Sequence, residues 1–235
     1  MADRAVALGL VGVLAALLAA CASQVAEAPR TDTQASGALP EDYYAELVAQ
    51  GTPVFRVDPA ASLVVMEVRR GGSLARLGHD HVVASHDVAG YIAPDAGRAD
   101  LVVPLDALVV DEPTLRAEAG FDTQPSAAAI AGTRRNMLDK VLEADRYPVA
   151  RVVVSGNVAD GGPKQFPITI TLHGATATVD ALAEVEKAPD AVTVTGTTAI
   201  DQSRFGITPF SLLGGALAVQ DRVAVRFRIR ARRVD

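Results

Sequence analysis

A chain of 235 residues with 49% hydrophobic content can bury one large all-β domain or two small ones, and one is expected. Its 22 Lys and Arg against 28 Asp and Glu leave a formal charge of -6, which repels nucleic acid and excludes a large basic footprint. With no Trp, 4% aromatic residues and a single Cys, it also lacks the rings for an extended stacking platform and the thiols for an internal disulfide or a cysteine metal cluster.

The N-terminus has Arg4 beside Asp3, then an apolar run from Ala5 to Leu18 and the ending Leu18-Ala19-Ala20-Cys21. A run of about 14 apolar residues is short for a transmembrane helix and suits a signal-peptide core with a small-residue cleavage site. The ending resembles the lipobox of bacterial lipoproteins. That resemblance implies removal of residues 1–20 and acylation of Cys21, palmitate included, as the first mature residue; several acyl chains hold where one would be marginal. An ordinary secretory signal with a coincidental cysteine is the alternative. The expected location is the cell envelope, lipid-anchored on the periplasmic side, with Ala22 in place of Asp favouring the outer membrane. Residues 21–52, rich in Ala, Thr, Ser, Glu and Gln, are expected to be a flexible tether, in which Glu41 to Ala49 suits a short helix.

The domain is expected over 53–235, where the pattern takes a period of two. Phe55 to Asp58 alternates, and Ser62 to Arg70 places Val64, Met66 and Val68 on one face and Glu67 and Arg69 on the other, before a turn at Gly71-Gly72. The next stretch, Arg76-Leu77-Gly78-His79-Asp80-His81-Val82-Val83-Ala84-Ser85-His86, holds three of the four histidines. Read as a strand, it puts His79 and His81 on one face with Leu77 and Val83, and His86 on the other. Partly buried imidazoles need a hydrogen-bond partner, a ligand or a metal. Gly78 suits a bulge or a close approach to the backbone. Val88 to Ala93, a turn at Pro94-Asp95-Ala96-Gly97, Ala99 to Leu105 and Ala107 to Val110 continue the sheet, with Pro104 marking an edge or a bulge.

Residues 111–147 break the alternation. Thr123 is placed to cap a helix with Pro125 in its first turn, and Ile130, Met137, Leu138, Val141 and Leu142 share one stripe, so this helix is expected on or across the end of a sheet. Arg134 and Arg135 read as a solvated face. After Tyr147-Pro148 come strands over Val149 to Val158 and, past a turn from Ala159 to Pro163, over Phe166 to Leu182, with Ile168, Ile170 and Leu172 opposite Thr169, Thr171 and His173. Ala191 to Ile200 is another. In the last strand, Val223, Val225, Phe227, Ile229 and Ala231 alternate with Arg226, Arg228, Arg230 and Arg232.

About eight or more strands with one-sided patterning, one helical insertion and no βαβ rhythm predict an all-β fold, an antiparallel sheet closed into a barrel. Inward Val, Ile, Leu, Ala, Gly and Thr with few aromatics suit a hydrophobic tunnel for one small ligand.

Several segments then resemble the YceI-like family of periplasmic polyisoprenoid-binding proteins. They are Gly78-His79, the insertion leading into Tyr147-Pro148, Ile170-Thr171-Leu172-His173-Gly174-Ala175-Thr176 and Asp201-Gln202-Ser203-Arg204-Phe205-Gly206-Ile207. The resemblance implies an extended lipocalin-like barrel with a polyisoprenoid or isoprenoid quinone along its axis, and no cofactor. His79, His81, His173, Arg204 and Phe205 are the expected ligand contacts, His173 and Arg204 having structural alternatives. Two features depart from the family pattern: Thr133-Arg134-Arg135-Asn136-Met137-Leu138 stands where an Asp-x-His-Leu run is expected, and His79-Asp80-His81 is denser in imidazole. A zinc or copper site on His79 and His81, completed by His173 or His86, is therefore the alternative function. No Gly-x-Ser-x-Gly, His-Glu-x-x-His, Walker or Gly-x-Gly-x-x-Gly motif occurs, so no enzyme is expected. The partners expected are the lipid and the membrane, not nucleic acid; a homodimer stays open.

Overall fold

The period-two pattern becomes strands nearly everywhere it was read. The computed structural model describes residues 37–156 and 161–234; the signal segment, Cys21 and part of the turn after the Val149 strand lie outside the described residues. In chain order the elements are α1 (Glu41–Ala49), β1 (Phe55–Val57), β2 (Leu63–Val68), β3 (Arg70–Gly71), β4 (His81–Ser85), β5 (Ala89–Ala93), β6 (Arg98–Pro104) and β7 (Val109–Val110). Then follow α2 (Pro113–Glu118), α3 (Ala127–Asn136), β8 (Val149–Ser155), β9 (Gly161–Leu172), β10 (Ala175–Lys187), β11 (Ala191–Asp201), β12 (Ser211–Leu212), β13 (Leu217–Val219) and β14 (Arg222–Arg233). No described helix is long and apolar enough to cross a membrane.

Eight antiparallel strands close a barrel in the order β1-β5-β6-β8-β9-β10-β11-β14, with β14 returning to β1 through Val57 opposite Ala231. The same β14 also pairs with β2, which continues to β4 and β7. β1 and β2 are thus one long strand interrupted by a turn at Pro59–Ala61, where proline has no N–H to give the ladder. Ser62 bridges the break, its hydroxyl lying 2.8 Å from the Asp58 carbonyl and accepting from the Arg230 N–H at 3.0 Å. Closure leaves no open edge along the ring.

Two expectations need correction. Phe166 to Leu182 is not one strand but the hairpin β9–β10, turning at His173 and Gly174, whose φ values are 52° and 75°. The inward apolar row runs on even numbers through Ile168, Ile170 and Leu172 and on odd numbers through Val179, Ala181, Ala183 and Val185. That change of phase is what a two-residue turn produces. The second correction concerns the insertion: its cap is Ser126, whose Oγ accepts from the Ala129 N–H at 3.2 Å, and Thr123 instead gives its carbonyl to Arg116.

Residues 41–49, expected within the tether as a short helix, are α1. α1 lies on the outer wall, where Tyr44 is 1% exposed, stacks on Tyr91 and donates its hydroxyl to Asp100 at 2.8 Å. Burial beside that carboxylate pushes the Tyr44 phenol far above its ordinary range. α2 covers a second part of the outer wall, burying Leu115 against Val65, Val82 and Ala84.

Candidate functional site

The inward rows do not meet along the whole axis. They enclose a cavity of about 530 Å³, within the size range of small-molecule sites. Its walls are apolar, with Ala150, Val152 and Val154 from β8, Ile168 and Ile170 from β9, and Val225 and Phe227 from β14. Gly196 makes room for Phe227: a Cβ there would stand 2.7 Å from that ring and 2.5 Å from the Leu182 carbonyl oxygen. Toward β1 the bore is filled by Val57, Val192 and Ala231, none more than 5% exposed, which gives the cavity a floor.

The opposite end is a mouth. α3 runs into a π turn at Met137–Val141, in which the Leu142 N–H reaches the Met137 carbonyl at 2.9 Å. The wider turn brings Met137, Val141 and Leu142 onto the cavity together with Thr133 and Asn136. The β3–β4 loop and the β12–β13 hairpin form the rest of the rim, where Leu77 and Leu212 line the cavity while remaining 64% and 50% exposed.

Polar side chains gather toward this mouth. His81 begins β4 and points inward beside Val83, as its position in the strand requires. Its Nδ1 lies 2.6 Å from Asp111 Oδ2 and its Nε2 lies 3.4 Å from Thr133 Oγ1. The Asp111 side chain is fully buried, and its other oxygen accepts from the Val82 N–H at 3.0 Å and from Arg116 at 2.6 Å. Burial alone would push the Asp111 carboxyl up, but the hydrogen bonds from His81, Val82 and Arg116 outweigh it and hold the group below its ordinary value. An ionised carboxylate only accepts, so His81 Nδ1 donates, and in the neutral ring Nε2 then carries a lone pair toward Thr133 and the cavity.

His79 also lines the cavity, its ring 6.3 Å from that of His81 and nearly perpendicular to it. It sits in the loop before β4 and not in a strand as expected, because the Asp80 carboxylate accepts from the Arg70 N–H at 2.8 Å and holds that segment in a turn. The His79 Nδ1 is buried with no hydrogen-bond partner.

The other expected contacts lie elsewhere. His173 sits in the β9–β10 turn against the Tyr147 ring, with Nε2 3.2 Å from Glu143 Oε1, and does not line the cavity. Arg204 is exposed and donates to the Thr178 carbonyl at 3.1 Å. Phe205 is fully buried in the core and not on the cavity surface. Their segment builds the turn between β11 and β14: the Ser203 N–H and Oγ hold Asp221 at 2.7 and 2.6 Å, and Gln202 donates to the Gln220 carbonyl at 2.9 Å. Gln202 is the one member of that turn that reaches the cavity lining.

Among the described residues no group of three or more His, Cys, Asp or Glu is placed to hold an ion. His81 Nδ1 is engaged by Asp111, His173 by Glu143 and His86 by Glu112 at 2.7 Å, so zinc or copper on His79, His81 and His173 has no assembled ligand set. Sequence reasoning missed Asp111, Arg116 and Thr133. The one signal for Asp111 was an acidic residue directly after the apolar pair Val109-Val110, which a strand end does not require.

A family model described as the YceI-like domain matches residues 55–231. Among curated proteins no sequence match is found. Solved structures that share the fold include the following two. A polyisoprenoid-binding domain from Saccharophagus degradans, described as implicated in plant cell wall breakdown, aligns with a TM-score of 0.54 at 18% identity, covering 77% of this chain and 98% of that one. BcnA from Burkholderia cenocepacia aligns with a TM-score of 0.55 at 18% identity, covering 74% of this chain and 99% of the other.

Proposed function

This chain belongs to the YceI-like domain family, and from that premise we propose that its barrel binds an isoprenoid or quinone-type amphiphile, tail in the bore and head at the mouth, for carriage or sequestration. The observation that carries this reading is the cavity of about 530 Å³ with apolar walls, a floor and a mouth. Each methylene moved from water into such a space contributes about 0.8 kcal/mol, so a branched hydrocarbon tail is retained without any charged contact. That a structural neighbour is a polyisoprenoid-binding domain supports the same ligand class. Binding of this kind asks for no catalytic group.

The proposal extends to location. Acylated at Cys21, the domain would sit on the periplasmic side of the outer membrane, close to the lipids that supply its ligand. Replacing Cys21 by Ala is expected to release the protein from the membrane fraction; unchanged membrane retention would remove the anchor from the proposal.

Solvent extraction of the purified domain followed by mass spectrometry tests the binding itself. An isoprenoid is expected at close to one per barrel from the native protein. Val152→Trp, which places a ring in the bore, is expected to keep the fold and lose the lipid. An extract without amphiphile, together with a refolded domain that takes up none, would overturn the reading.

A further inference from the structure

We propose that the mouth selects a neutral, hydroxyl-bearing head, an isoprenoid alcohol or a quinol, over a phosphorylated or purely hydrogen-bond-accepting one; this rests on the lipid-binding reading and deepens it.

The first observation is the orientation of His81. Asp111, buried and fixed by Val82 and Arg116, accepts a hydrogen bond from Nδ1–H, which leaves Nε2 of the neutral ring as an acceptor on the cavity side. The Thr133 hydroxyl that faces it is 3.4 Å away, well beyond the usual length for an O–H donor, so this acceptor is only weakly satisfied. A hydroxyl can donate to His81 Nε2, which the long Thr133 contact leaves open. A ketone, an ether or an ionised phosphate can only accept and leaves His81 Nε2 facing an oxygen lone pair.

The second observation is charge. Among the described residues lining the cavity, Arg70 is the only Lys or Arg. Its guanidinium is already held by the Gly78 carbonyl at 3.0 Å, by Asp122 at 2.9 Å and by Asp80 at 3.6 Å. Arg116 is turned toward Asp111 and the Asp80 carbonyl, and Arg134 toward the carbonyls of Leu108 and Asp106. Each of these guanidiniums is committed to a carboxylate or a carbonyl, so a phosphate entering here meets no uncommitted cation among the described residues that line the cavity.

The test compares three ligands with the same tail, geranylgeraniol, its methyl ether and geranylgeranyl phosphate, by displacement of a fluorescent apolar probe from the purified domain at pH 8. The alcohol is expected to bind about tenfold tighter than the ether, the usual cost of leaving one buried acceptor unmet, and tighter than the phosphate. Thr133→Val, which removes the competing hydroxyl, is expected to widen the gap between alcohol and ether, and His81→Phe to abolish it. Equal binding of alcohol and ether, or phosphate binding tighter than alcohol, would overturn the selection while leaving the lipid carrier intact. Failure of all three to displace the probe would take down both.

Discussion

The floor and the mouth of this barrel use the same alternating strands to opposite ends. At the floor, Val57, Val192 and Ala231 come from β1, β11 and β14, with Ala231 of β14 opposite both Val57 and Val192, and their side chains fill the bore. At the mouth the strands give way to α3, the β3–β4 loop and the β12–β13 hairpin, and the inward positions carry His81, Thr133 and Gln202 with an unpartnered His79 nitrogen beside them. Tight apolar packing specifies a single native arrangement. Partly satisfied polar groups specify what is allowed to approach, because each unmet group penalises a ligand that ignores it. The contrast puts close packing at one end and, on the proposed reading, selectivity at the other.

That division can be broken in several places. The largest effect is expected from Ala231→Asp, which puts a carboxylate into a fully buried apolar position; stability should fall by more than about 4 kcal/mol in urea titrations. If it folds normally, the floor is not the keystone described. Asp111→Ala leaves Arg116 buried without its carboxylate and should cost about 3 kcal/mol at pH 7. Because the folded Asp111 carboxyl is held below its ordinary value, its contribution is complete above about pH 4 and fades as the pH falls further. The difference between the native protein and Asp111→Ala should accordingly narrow in titrations repeated near pH 3.

Gly196→Ala drives a methyl group toward Phe227 and the Leu182 carbonyl, with an expected loss of about 2 kcal/mol and a smaller bore, read as weaker uptake of the bulkiest tails. Removing the Tyr44 hydroxyl as Tyr44→Phe deprives Asp100 of one of its partners and should cost about 1 kcal/mol in thermal melts. The smallest effect belongs to the rim: Leu77→Ser, at a residue 64% exposed, should alter stability by less than about 0.5 kcal/mol. A Leu77→Ser variant as damaging as Ala231→Asp would erase the distinction between the two ends.

The barrel was legible because its evidence is periodic. In β14 the row from Val223 to Ala231 is inward and the arginines face out, as the alternation alone requires. The β9–β10 hairpin was misread although its phase change is written in the chain, because His173 and Gly174 form a turn without an Asn-Gly or Asp-Gly pair to mark it. Site residues were harder for a different reason. His79 and His81 could be found from local spacing, whereas Asp111 meets His81 across 30 residues and Thr133 meets it across 52. No pattern within one segment reports such a contact. Arg204 and Phe205 lie away from the cavity lining, in a segment that builds a turn through the Ser203–Asp221 pair.

The floor has one more effect. If the bore takes a guest as proposed, the floor requires the tail to enter first and leave last through the mouth. A carrier built this way would meet donor and acceptor bilayers in succession, with dwell time set by the polar groups at the threshold and by the length of chain threaded behind them. A guest whose tail exceeds the depth of the blind tube has to fold back on itself or leave part of its length outside.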